Sequence, residues 1–94
     1  SILQFSYDTN IFTIAAFSMD ILETEKKKDL LEKRLNILQS YLTGINEQNN
    51  ETWKREVPDF HVANLERMID IVQAEISGTK RLLSVIEEEK NNEK

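Results

Sequence analysis

His61 is the only histidine in the 94 residues, and Arg55 precedes it by six. A lone imidazole can move a proton near neutral pH, and a guanidinium can hold the charge on a phosphate. Other groups able to do chemistry are plentiful but poorly arranged. The pairs Glu66 and Asp70, or Asp70 and Glu75, have no histidine at ligand spacing, so no metal site is expected. There is no cysteine, hence no disulfide, no thiolate zinc site and no thiol nucleophile. Gly44 and Gly78 are isolated, so neither belongs to a phosphate-cradling loop. Lys26, Lys27, Lys28, Lys33 and Arg34 form the one basic cluster, interleaved with Glu23, Glu25, Asp29 and Glu32. Mixed signs at that spacing belong to a solvated helix face.

The stretch Arg55-Glu-Val-Pro-Asp-Phe-His61 resembles the signature of HEPN-type ribonucleases, which are helical and often dimeric. That resemblance implies His61 as the proton-transfer group and Arg55 as the phosphate clamp in a cleft between two protomers. It covers seven residues. Glu56 stands where a polar residue that tolerates phosphate usually follows the arginine, and Pro58 interrupts the spacer. On the residues themselves His61 is a first-turn surface histidine. The expectation is a protein without catalytic residues, cofactor or metal.

The elements that would position any site are helices. Few breakers (two Gly, one Pro) and 31% charged residues favour long helices over a sandwich or barrel. From Val62 to Ile86, the residues Val62, Leu65, Ile69, Val72, Ile76, Thr79, Leu83 and Ile86 recur at steps of three and four. That is the seam of a helix lying along another helix. Ile14, Phe17, Ile21, Thr24, Lys28, Leu31, Leu35, Leu38 and Leu42 step the same way.

The spacing therefore predicts an all-α fold: one domain over 1–94, an antiparallel hairpin of two long, coiled-coil-like helices. Helix 1 spans about 11–43, a polar loop 44–57, helix 2 about 58–89, and residues 90–94 fray. Residues 1–10 read either as part of a short β-hairpin or as an apolar lead-in to helix 1, with the helix preferred. Asp20 with Glu23 offers a second start as a capping box. Gly44 suits a left-handed C′ position with Ile45 as its apolar contact. Pro58 and Asp59 suit the start of helix 2. Gly78, four residues after Ala74, leaves room for another backbone to approach.

Both apolar stripes are wider than one partner helix covers. Leu22, Leu30, Ile37 and Tyr41 widen the first; Met68, Ile71, Leu82 and Val85 widen the second. Covering such surface is favourable by ~25 cal/mol per Å². Dimerisation into a four-helix bundle, or docking on another protein's helices, follows as the expectation. The residues expected to bind the partner are Phe12, Phe17, Leu22, Trp53, Met68, Ile71, Leu82 and Val85. Trp53 is singled out as an aromatic in a polar loop, either capping the hairpin end or anchoring a partner.

Net charge is −5 and no part of the chain is strongly basic, which argues against nucleic acid. No apolar run approaches the ~20 residues of a membrane span, and a cytoplasmic location is expected. The functional expectation is a non-enzymatic protein–protein interaction module: a small adaptor, chaperone, regulator or assembly subunit. The alternatives are the HEPN-like ribonuclease using Arg55 and His61, and a coiled-coil segment of a larger structural protein.

Overall fold

The computed structural model describes residues 12–48 and 51–92, apart from the side chains of Asp20, Gln48, Glu51, Thr52 and Trp53. The described residues are almost wholly helical and include no strand. A short helix α1 covers 12–18 and runs into a 3₁₀ turn, Met19–Ile21. Helix α2 is Thr24–Gln48, α3 is Glu51–Glu56 and α4 is Asp59–Asn92. The molecule measures 56 × 22 × 15 Å, a rod one helix pair thick.

Helices α2 and α4 pack against each other, and their pairings show them to be antiparallel. Arg34 meets Glu75, Lys28 meets Glu87 and Glu25 meets Lys90, so one chain number falls as the other rises. The core runs along that seam. Leu38 and Val72 are fully buried and Ile76 nearly so, with Leu35, Tyr41, Leu42, Ile45 and Ile71 packed around them. Leu31, Leu65, Met68 and Ile86 continue the buried line toward the two ends. Burial of a large apolar side chain stabilises by ~1.5–3 kcal/mol. Thr79 holds a seam position at 1% exposure. Its Oγ1 donates to the Glu75 carbonyl at 2.8 Å, so the buried hydroxyl keeps a partner.

The first helix differs from the sequence expectation at both ends. A single helix over 11–43 is replaced by α1 and α2, joined at Leu22, whose backbone is extended (φ −90°, ψ 151°). The break is satisfied locally: the Leu22 N–H donates to the Met19 carbonyl at 2.9 Å. The Glu23 carbonyl then accepts the Lys27 N–H, so Glu23 rather than Asp20 stands at the head of α2. The reason is geometric. The start of α2 already lies beside the last turns of α4, so a straight extension would project past the hairpin with its apolar residues in water. Bending at Leu22 brings Ala16 and Met19 back against Leu31, Leu82, Val85 and Ile86.

At the other end α2 passes through Gly44 and stops at Gln48. No glycine has positive φ, so Gly44 makes no left-handed cap. Gly in a helix costs ~1 kcal/mol. Ile45, packed on the core beyond it, supplies the offsetting burial. The expected loop 44–57 therefore contains the last turn of α2 and all of α3. Pro58 closes that connection. Its carbonyl accepts the N–H groups of His61 (2.9 Å) and Val62 (3.3 Å), which starts α4 at Asp59. Gly78 admits no close backbone: a Cβ there would meet nothing within 4 Å.

Helix α4 also runs beyond the expected end at 89. Glu87, Glu88 and Glu89 oppose the helix dipole at a C-terminus, but two of them are paired with α2. Lys28 reaches Glu87 at 3.3 Å and Lys27 reaches Glu89 at 4.0 Å, while Lys90 returns to Glu25 at 3.2 Å. Glu87 raises the Lys28 ammonium above the ordinary 10.5, first by hydrogen bonding and then by charge, with Glu32 and Glu25 adding to it. A raised lysine contributes stability that is complete below 10.5 and lost as pH climbs through the raised value. Helical ellipticity is therefore expected to fall at alkaline pH before global unfolding, and Lys28→Gln should blunt that early step. An unchanged alkaline profile in the variant would show that the clasp does not hold this end.

Candidate interaction surface

The bend at Leu22 decides what α1 does with its apolar residues. One face turns inward. Phe12 stacks on the Arg34 guanidinium, 4.7 Å from ring centroid to Cζ, and Arg34 also pairs with Glu75 at 3.8 Å. The Arg34 side chain is only 10% exposed, so both contacts act where water screens them little. Ala16 and Met19 complete the inward face. The other face turns outward. Ile14 is 69% exposed, Phe17 83% and Ile21 88%. Ile14 and Phe17 belong to α1 and Ile21 to the 3₁₀ turn that follows it, three exposed apolar residues on the outside of the molecule. They fall in the seam register read from the sequence, and the structure corrects that assignment: none of the three enters the hairpin seam.

Beside Phe17, a groove of about 490 Å³ separates α1 from α4, lined by Phe12, Ala16, Phe17, Gly78 and Leu82 among others. Leu82 and, three residues further along α4, Val85 each keep well over a third of their surface exposed. Glu75 and Arg81 also line this groove, and a second, smaller one holds Leu82 and Val85 with Ala16 and Met19. Leu22 is half-buried and edges a shallower groove with Leu30, which is itself exposed.

The eight expected partner-binding residues thus separate. Phe12, Phe17 and Leu82 line one groove, and Val85 joins Leu82 in the neighbouring one. Met68 and Ile71 belong to neither. Met68 is buried and Ile71 packs on the Leu38–Val72–Ile76 cluster, because the seam of α4 is rotated toward them. Trp53 falls in α3, and its side chain lies outside the described residues. Ile14, Ile21 and Phe60 (79% exposed) are the surface residues that spacing did not single out. For Ile14 and Ile21 the signal was present: the register they share breaks at polar Thr24 and Lys28.

The chemistry-bearing residues are dispersed. Arg55 lies in the last turn of α3 and His61 in the first turn of α4, on either side of Val57-Pro58, and both are exposed. The His61 ring meets Phe60 edge-on, centroids 6.1 Å apart. Among the described residues no group of three or more His, Cys, Asp or Glu side chains could hold a metal ion. Among them, too, no helix is long and apolar enough to cross a membrane. Comparisons of the chain with protein-family models, with curated proteins and with solved structures find no match.

Proposed function

We propose that this chain is a protein–protein interaction module, a helical hairpin whose exposed apolar surface is completed by another protein surface. The observation that supports it is the exposure of Ile14, Phe17 and Ile21, with Phe17 edging the groove that Leu82 lines. Large apolar side chains this exposed are the anchors by which helices recognise helices. They contribute nothing to the seam between α2 and α4, so folding of the hairpin does not account for them. A role as adaptor, chaperone, regulator or assembly subunit accords with a rigid rod presenting one sticky end. Completion of a four-helix bundle by a second hairpin is the form of association that this architecture supports most simply.

Affinity purification from the source cell tests the reading. Wild-type bait and an Ile14→Glu/Phe17→Glu/Ile21→Glu bait are compared side by side. The proposal expects a stoichiometric protein partner, the chain itself included, held by the first and absent from the second. Identical recoveries from both baits would refute it.

A further inference from the structure

We infer that α1 is a hinged strap: residues 12–21 lift off the hairpin as a unit about Leu22 while α2 and α4 stay folded, and the contact of Phe12 with Arg34 is its latch. The inference goes beyond the interaction reading and is independent of it, since it concerns the isolated chain. Burial divides the molecule at Leu22. Among the described residues, every buried side chain belongs to α2 or α4. Phe12, Ala16, Met19 and Leu22 are only half-buried, and the other described side chains from 13 to 21 are exposed. Helices shorter than ~12–15 residues are marginal on their own, so α1 is helical where the hairpin holds it and melts once it lifts.

The joint can turn without breaking either helix. The Leu22 N–H closes the 3₁₀ turn on the Met19 carbonyl at 2.9 Å, Leu22 itself is extended, and the Glu23 carbonyl accepts the Lys27 N–H at 3.0 Å beyond it. At the far end of the strap, the Phe12 ring lies 4.7 Å from the Arg34 Cζ. Arg34 is also held by Glu75 of α4 at 3.8 Å, so the ring closes on a guanidinium that α4 already orients, and little ordering is left to do. Between latch and hinge, Ala16 and Met19 face Leu31, Leu82, Val85 and Ile86 across a groove of about 110 Å³. Side chains that line such a gap forfeit part of their dispersion contacts, so the middle of the strap is held less firmly than the seam. Opening adds the outer sides of Leu31 and Ile86 to the already exposed Leu82 and Val85. The strap thereby sets how much apolar surface this end of the rod shows.

Amide hydrogen exchange of the full chain, resolved by NMR, tests this. The amides of Ala16, Phe17 and Ser18 should exchange at least about 100-fold faster than those of Leu38 and Val72, yet more slowly than in an unstructured chain, as sub-global opening requires. Low urea should speed exchange at Leu38 and Val72 steeply and at the three α1 amides hardly at all. Phe12→Ala, which removes the latch, should speed the α1 amides a further ~3–10-fold and leave Leu38 and Val72 unchanged. Exchange of the α1 amides at the rate and with the urea dependence of Val72 would overturn the inference, because α1 would then unfold only with the whole molecule. Exchange at the unstructured rate would overturn it too, since no closed strap would exist. So would a Phe12→Ala variant that speeds all of these amides alike, or none of them. Each of these failures leaves the interaction reading standing, because that reading falls only on the capture experiment.

Discussion

Leu38→Ala is expected to lower the unfolding free energy by about 3–4 kcal/mol, the upper part of the usual cost of truncating a buried leucine. Leu38 is 0% exposed and stands where Val72, Ile76, Leu35, Leu42 and Ile45 converge. Two rigid helices cannot collapse into the hole, because each is tied to its own backbone ladder over more than six turns. A domain of this size has ~5–10 kcal/mol of stability, so a third or more disappears, equivalent to a drop of about 15–25 °C in Tm. Urea denaturation followed by circular dichroism measures it. Phe60→Ala, 79% exposed at the start of α4, is the paired control and should shift stability by less than about 0.5 kcal/mol. Equal effects at the two positions would contradict the assignment of core and surface.

Gly44→Ala is expected to act in the opposite direction, stabilising by about 0.5–1 kcal/mol. The sign carries the information. Gly44 lies inside α2 without positive φ, and a Cβ added there meets nothing within 4 Å. Alanine then gains helix propensity and loses unfolded-state entropy at no steric cost. Were Gly44 the left-handed C′ residue that its sequence neighbourhood suggests, the same change would destabilise by ~1 kcal/mol. Gly78→Ala in α4 meets equally open space. The two sites lie in different helices with no shared partners, so the double variant should gain about 1–2 kcal/mol by simple addition. Measured by denaturant midpoint, a loss at Gly44 would mean that α2 ends there.

Both results bear on how far the fold could be read from residues alone. The α4 seam was legible because its apolar period is regular across seven turns, and every position read as seam there is buried or half-buried. Antiparallel pairing followed from a polar connection between two such stripes. The bend at Leu22 was not legible. Nothing local forbids helix from Ser18 to Thr24; what selects the break is the end of α4, a tertiary fact that places Lys27 and Lys28 beside Glu89 and Glu87. Gly44 misled for the same reason, since Ile45 is held by the core as firmly as a cap would hold it. At the surface, Phe17, Leu82 and Val85 could be named from the width of the stripes. Met68 could not be separated from them, because a rotation of α4 by a fraction of a turn moves a flanking residue into the seam. Arg34 shows the limit most plainly. Its place beneath Phe12 and beside Glu75 joins three segments that no spacing rule connects.

Helices α2 and α4 form the core, and Ile14, Phe17 and Ile21 stand outside it. One titration tests that division: the urea midpoint of wild type and of the Ile14→Glu/Phe17→Glu/Ile21→Glu variant, measured across a 100-fold range of protein concentration. The two midpoints are expected to coincide at high dilution, where no association contributes to wild-type stability. A variant that unfolds much earlier than wild type at every dilution would contradict it, placing the three residues inside the fold rather than on its surface.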